Sequence, residues 1–164
     1  MTFTTADLYD EFADDLQVAE PLFQDFGERK RFAGKIVTVK CFEDNSLVRK
    51  FLEQPGEGGV LVVDGGGSTH CALVGDRLGA LGRDNGWSGV VVYGCVRDKV
   101  ALSHIDIGLK ALATTPRKSV KAGAGESQGR LEFAGVVFEP GSFLYADPDG
   151  IVVSAKSLGE WRNC

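Results

Sequence analysis

No stretch of this 164-residue chain approaches the roughly 20 apolar residues that a bilayer-spanning helix requires, so a membrane protein of that kind is excluded. Cysteines do not pair in sequence. Cys41, Cys71, Cys95 and Cys164 are scattered without a C-x-x-C, which points away from a disulfide framework or a zinc site and towards reduced, mostly buried thiols in a cytoplasm. Positive charge is in deficit: 18 Lys and Arg against 23 Asp and Glu give a net charge of −5, a poor match to a phosphate backbone. A basic protein partner remains open. No segment recurs at the period of about 20 to 50 residues that marks a solenoid. The start, Met1-Thr2-Phe3-Thr4 followed by Asp7, Asp10 and Glu11, lacks the basic and apolar regions of a signal peptide.

Glycine, in contrast, is plentiful. The 22 glycines cluster around Gly58, at Gly65 to Gly67, from Gly75 to Gly89 and from Gly123 to Gly129. They imply tight connections and places where backbone approaches something closely. Apolar residues at 43% and charged residues at 25% suit one soluble domain spanning residues 1–164, large enough to bury a core.

Local patterns predict the elements. Thr4-Thr5-Ala6-Asp7 has capping-box spacing and opens a helix through Leu8 and Phe12. Lys35 to Cys41 reads as a strand, and Asn45 as the cap of a helix from Ser46 to Glu53. Val60 to Val63 is a buried strand, Asp76 to Asn85 a helix stopped by Gly86, and Gly89 to Gly94 a second buried strand. Strand, helix and strand between residues 60 and 94 form a βαβ unit with parallel strands. In the tail, Arg130 to Phe133, Val136 to Phe138, Phe143 to Ala146 and Ile151 to Ser154 are short strands separated by turn signals at Gly135, Pro140-Gly141 and Asp147-Pro148-Asp149-Gly150. The fold class is therefore α/β, with parallel central strands and antiparallel C-terminal strands.

Ligands of such sheets sit beyond the carboxyl ends of the parallel strands. One such end leads through Asp64-Gly65-Gly66-Gly67-Ser68-Thr69-His70 to Gly75-Asp76-Arg77-Leu78, and the other is Gly94-Cys95-Val96-Arg97-Asp98. Both loops should face one crevice. The first supplies a helix N-terminus that favours an anion; the second supplies a cation beside a hard oxygen ligand. Each feature also has an ordinary explanation. Asp76 is a favourable charge in a first helical turn, Arg97-Asp98 a solvated pair, and His70 and His104 isolated structural or surface residues. Val62 to Gly67 resembles a methyltransferase or nucleotide loop, yet it lacks both G-x-G-x-x-G spacing and a P-loop Lys-Ser/Thr. No lysine stands in these loops before Lys99, which disfavours a Schiff-base aldolase.

Ala72 to Leu78, Gly86 to Gly94 and Val96-Arg97-Asp98 together resemble the RraA-like family, regulators of ribonuclease E activity and 4-hydroxy-4-methyl-2-oxoglutarate aldolases. Lys40 to Asn45 and Tyr145 to Ile151 extend the likeness, which covers about residues 5 to 154. Its most specific element is an aspartate followed after twenty residues by Arg-Asp, met by Asp76, Arg97 and Asp98. The resemblance implies a three-layer β/β/α swivelling-domain fold and a ring-shaped homotrimer. Where the motif is complete, it implies a lyase cleaving 4-hydroxy-4-methyl-2-oxoglutarate, with oxaloacetate decarboxylation as a second activity. On that likeness Asp98 binds a divalent Mg²⁺ or Mn²⁺. Gly75, Asp76, Arg77 and Leu78 bind the α-keto acid, Arg97 stabilises the pyruvate enolate, and Asp76 orders the water that removes the 4-hydroxyl proton. Longer aldolases of the family add an acidic residue from a C-terminal extension. This chain ends at Cys164, and no residue is matched to it. The alternative implied by the family is a non-catalytic inhibitor of a ribonuclease E-type protein.

Overall fold

The structure, a computed structural model, describes residues 2–159. Twelve strands follow in chain order: β1 (Leu16–Val18), β2 (Gln24–Asp25), β3 (Phe32–Lys40), β4 (Val60–Asp64), β5 (Ala72–Val74), β6 (Gly89–Val96), β7 (Gly108–Thr114), β8 (Glu126–Ser127), β9 (Leu131–Phe133), β10 (Val136–Phe138), β11 (Phe143–Asp147) and β12 (Gly150–Ser154). The helices are α1 (Thr5–Phe12), α2 (Ser46–Leu52), α3 (Asp76–Asp84) and the single turn α4 (Lys99–Leu102).

β3 joins the two halves of the sheet. Its first half pairs antiparallel with β11, and its second half pairs parallel with β4. From β4 the sheet continues in parallel through β6 to β7, and β5 adds to the outer end of β6. On the other side β11 leads antiparallel to β12 and β1. The central strands are buried on both faces, which is why Val60-Leu61-Val62-Val63 and Val90-Val91-Val92 are unbroken apolar runs. Alternation along them fills two cores. Leu61, Val63, Val90 and Val92 pack under the helices with Leu52, Leu78 and Leu102. Val60, Val62 and Val91 face the antiparallel layer with Phe138, Leu144 and Val153. The result is three layers: helices, parallel sheet, antiparallel strands.

Phe32 explains two of the glycines. Gly89 and Gly108 lie opposite one another in the β6–β7 pairing, and the buried Phe32 ring lies against both, so a Cβ at either position would overlap it. In the β9–β10 hairpin the turn residues Ala134 and Gly135 have φ of 52° and 71°, the left-handed pair a two-residue turn requires.

Most predicted elements stand within one to three residues of their expected ends. Thr4 caps α1, its Oγ1 accepting from the Asp7 N–H at 3.0 Å. The cap of α2 is a correction. Asn45 makes no cap bond; Asp44 Oδ1 accepts from the Ser46 N–H at 2.9 Å, while the Asn45 amide donates to the Leu73 carbonyl. The sequence reading missed β1, β2, β5, β7, β8 and α4. β7 was hidden because its buried run, Gly-Leu-Lys-Ala-Leu-Ala-Thr, contains few β-branched residues and a lysine.

That lysine, Lys110, is 2% exposed and pairs with Asp25 of β2 at 3.0 Å. Removing one partner strands a buried charge, whereas replacing both with apolar groups need not destabilise. Asp25→Ala is therefore expected to lower stability by about 3 kcal/mol or more in chemical denaturation. Asp25→Leu combined with Lys110→Met should recover most of that loss. A cost below about 1 kcal/mol for the single change would show that Lys110 is solvated in the folded state.

Candidate active site

The cleft is built where β5 and β6 end. Val74 lies opposite Val96, and the Arg97 N–H donates to the Val74 carbonyl at 3.0 Å, so the Gly75–Asp76 and Arg97–Asp98 turns leave the sheet side by side. Gly75, Asp76, Arg77, Leu78, Arg97 and Asp98 all line one cavity of about 540 Å³. The two loops expected to share a crevice do so.

Within it the two aspartates are locked together. Asp98 has φ 62° and ψ 44°, a left-handed conformation that Asp tolerates better than most residues. Its Oδ2 accepts from the Asp76 N–H at 3.1 Å, at the start of α3. The Arg77 N–H donates to Asp76 Oδ1 at 2.8 Å. Two N–H groups of the helix end thus hold carboxylates of the protein itself, and the Leu78 N–H remains for a ligand. Gly75 is required for space: a Cβ there would stand 2.6 Å from Asp98 Oδ2. Arg97 makes one long bond, Nη1 to the Pro116 carbonyl at 3.4 Å, so most of its guanidinium is uncommitted.

The opposite wall was not foreseen. Asn45 and Arg49 come from the start of α2, and Lys118, Ser119 and Lys121 from the segment after β7. These positions are far from the motif in sequence. The basic run Arg117-Lys118 with Lys121 was the only available signal, and nothing local said which loop it faced. Arg49, Arg77, Arg97, Lys118 and Lys121 outnumber Asp76 and Asp98 around the cavity, although Glu53 pairs with Arg49 at 3.0 Å. Asn45 Oδ1 and Ser119 Oγ are buried without a hydrogen-bond partner. A cleft of this composition suits an anion with several oxygens.

Two carboxylates fit a hard cation that keeps several of its waters, as Mg²⁺ does. Among the described residues there is no group of three or more His, Cys, Asp or Glu placed to hold a metal. Such an ion would therefore depend on the aspartate pair, water and the ligand.

Other residues singled out in the sequence sit elsewhere. The glycine triplet folds onto itself: Gly65 and Gly67 N–H groups donate to the Tyr93 carbonyl, Gly66 N–H to Asp64 Oδ1 and Ser68 N–H to the Gly65 carbonyl. No cradle of free N–H groups is left for a nucleotide or a methyl-donor cofactor. His70 is exposed and contacts Glu43 Oε1 at 3.0 Å, and His104 is exposed. Cys41, Cys71 and Cys95 are buried free thiols, and Cys164 lies outside the described residues. Burial, then the nearby Asp44 and Asp64, push the Cys41 thiol up to about 12, so it stays protonated.

The profile of the RraA-like family, described as Aldolase/RraA, matches residues 5–153. The chain belongs to the RraA-like family. It is 60% identical over 158 residues to a protein of Alkalilimnicola ehrlichii provisionally named 4-hydroxy-4-methyl-2-oxoglutarate aldolase, covering 96% of this chain and 98% of that one. Among solved structures it superposes with a TM-score of 0.94 on the RNA-processing inhibitor RraA from Thermus thermophilis, at 47% identity and 99% coverage of both chains. A Geobacillus kaustophilus protein described as S-adenosylmethionine:2-dimethylmenaquinone methyltransferase also gives 0.94, at 48% identity, with 98% of this chain and 100% of that one covered. The three-layer fold of this RraA-like chain is thus shared with proteins carrying three different functional names, and the cleft has to choose between them.

Asp44, beside the cleft, provides a pH test of its geometry. Its carboxylate accepts from the Ser46 hydroxyl and from the Ser46, Ala122 and Ala124 N–H groups. These bonds, the Ser46 hydroxyl foremost, bring it down to about 2 from an ordinary 3.8. A depressed carboxyl contributes fully above the unfolded value and loses its contribution as pH falls through the folded one. The Ala122 and Ala124 amide proton shifts should therefore hold steady down to pH 3.8 and titrate with a midpoint of about 2. A midpoint at 3.8 would mean that the carboxylate is free of these bonds.

Proposed function

We propose that this protein is a divalent-metal-dependent aldolase that cleaves 4-hydroxy-4-methyl-2-oxoglutarate to pyruvate and also decarboxylates oxaloacetate. The observation carrying this reading is the Asp76–Asp98 pair beside an uncommitted Arg97, facing a cationic wall. The provisional aldolase name of a relative 60% identical along nearly its whole length supports it.

Asp98, with Asp76, would hold Mg²⁺ or Mn²⁺, which when bound supplies Lewis-acid stabilisation worth several kcal/mol. The Leu78 N–H, on the end of α3, receives the carboxylate next to the keto group. Lys118 and Lys121 face the substrate's other carboxylate. A proton leaves the 4-hydroxyl towards Asp76 through a water, the bond between C3 and C4 breaks, and its electron pair moves onto the pyruvyl half as an enolate. Arg97 donates to the oxygen on which that charge grows. Protonation at C3 completes the first pyruvate, and the former 4-hydroxyl carbon becomes the keto carbon of the second. With oxaloacetate the same bond breaks and carbon dioxide leaves.

A Schiff-base route has to be reconsidered because Lys118 and Lys121 line the cleft although neither lies in the two motif loops. Both are exposed, outside the apolar pocket that desolvates a Schiff-base lysine. Borohydride with pyruvate should leave the protein mass unchanged.

The competing reading, a protein inhibitor of a ribonuclease E-type enzyme, draws on the likeness to the Thermus protein. Purified protein that inhibits such an enzyme and turns over no keto acid with Mg²⁺ would establish it instead. A homotrimer is part of the proposal under either reading. The exposed Phe42 and Val100 are apolar surface that subunit contact would cover. Light scattering should give a mass three times 17.5 kDa, and a monomer at micromolar concentration would refute it.

For catalysis, Arg97→Ala should lower kcat for oxaloacetate by about a hundredfold or more, because the charge it stabilises exists only along the reaction path. A rise in KM with kcat preserved would make Arg97 a substrate anchor instead. Asp98→Asn should abolish metal-dependent turnover with the thermal midpoint retained, and full activity at matched Mg²⁺ would remove Asp98 as a ligand.

A further inference from the structure

Residues 117–124 line one side of the cleft through Lys118, Ser119 and Lys121, as a strap with almost no apolar attachment. Every residue from Val120 to Arg130 is exposed, Val120 itself 61%. Its early part is held by backbone: the Ala72 N–H donates to the Arg117 carbonyl at 2.8 Å, the Val120 N–H to the Glu43 carbonyl at 3.0 Å, and the Asn45 N–H to the Val120 carbonyl at 3.3 Å. Beyond Val120 one carboxylate takes over. Asp44, 2% exposed, receives the Ala122 N–H at 2.9 Å and the Ala124 N–H at 3.1 Å on Oδ2. Its Oδ1 receives the Ser46 N–H at 2.9 Å and the Ser46 hydroxyl at 2.6 Å, and Ser46 Oγ in turn accepts from the Gly123 N–H at 3.0 Å. The same carboxylate therefore caps α2, which carries Asn45 and Arg49, and fastens the strap, which carries Lys118, Ser119 and Lys121.

An independent observation shows that the strap is not arranged for its own satisfaction. Ser119 is 4% exposed and lines the cleft, yet its hydroxyl has no partner. A buried hydroxyl without a partner is costly, and a ligand in the cleft would supply one.

We infer that Asp44 is a positioning residue: it fixes the lysine-bearing strap and the start of α2 at the distance a substrate with a distal carboxylate needs, while leaving the Asp76–Arg97–Asp98 side of the cleft untouched. This rests on the aldolase reading for its substrate and on geometry alone for the strap. Asp44 remains charged at any working pH, its carboxyl being held down to about 2, so the anchor acts as a permanent fastening rather than a pH switch.

Two measurements on the full chain test it. The first is amide hydrogen exchange across residues 120–124 in Asp44→Asn and in the milder Ser46→Ala, which removes the bridging hydroxyl but neither the charge nor a cleft residue. Protection there should fall by about tenfold or more in Asp44→Asn and by less in Ser46→Ala, with β4 and β6 unchanged. Strap protection equal to wild type in both variants would overturn the proposal. The second compares two substrates with Mg²⁺. Oxaloacetate carries a distal carboxylate. Pyruvate carries none, and its methyl hydrogens exchange with deuterated water whenever an enolate forms. Asp44→Asn should raise KM for oxaloacetate by about tenfold or more and leave pyruvate exchange within a few-fold. A loosened strap with unchanged KM, or equal losses on both substrates, would reduce Asp44 to a structural role and overturn the inference. Wild-type protein inactive on both compounds would refute the aldolase reading instead, and the exchange measurement would still decide whether Asp44 holds the strap.

Discussion

The alignment of β5 with β6, with Val74 opposite Val96 and the Arg97 N–H on the Val74 carbonyl, sets where the chemical groups of the cleft stand. Side chains alternate along a strand, and a slip of one residue would turn Arg97 and Asp98 away from α3. The alignment is secured beneath by the β4–β6 pair, whose valines are buried on both faces. A slip there would expose an apolar row on each side. Stability of the core and geometry of the site are therefore one constraint. The left-handed turn at Asp98 is tolerated because the pairing on its N-terminal side leaves no freedom, and because Gly75 leaves room for the carboxylate.

Charge in the cleft follows from the same arrangement. Two aspartates at the sheet edge would repel each other in isolation. Here each accepts an N–H from the start of α3, where the helix dipole also favours negative charge. Cations come from the other side, on a strap and a helix start that share the anchor Asp44. The cleft thus has a fixed acidic end and a basic end whose position depends on a separate fastening. This division suits a ligand whose reacting end must be placed closely and whose remote end must be recognised.

Family likeness narrows function less than fold. Two solved structures of nearly the same backbone carry the names of an RNA-processing inhibitor and a methyltransferase, and a relative 60% identical in sequence carries that of an aldolase, provisionally. The closed hydrogen bonding of the glycine triplet gives a methyl-donor cofactor nothing to bind there. The carboxylate pair lining the cleft and the uncommitted arginine favour the aldolase name on chemistry of this chain's own.

The sequence by itself determined the central strands, the helices that cover them and the pairing of Asp76 with Arg97-Asp98. These depend on local signals: unbroken valine runs, a cap residue, a helix stop and loops that must emerge at the carboxyl end of parallel strands. It also carried the tail hairpins, because turn residues such as Ala134-Gly135 and Pro148-Asp149 act over two positions. Only the tertiary structure decided the basic wall. Lys118 reaches the cleft through backbone bonds of its neighbours to Ala72 and Glu43, and Lys121 through those of its neighbours to Glu43 and the Asp44 carboxylate, the last two more than seventy residues earlier in the chain. It likewise decided that Asp44, and not Asn45, caps α2, and that β7 could be a buried strand around a lysine. Each of those outcomes depends on a partner distant in sequence, the Ala122 and Ala124 N–H groups for Asp44 and the Asp25 carboxylate for Lys110, and a long-range partner leaves no periodicity or local spacing to read.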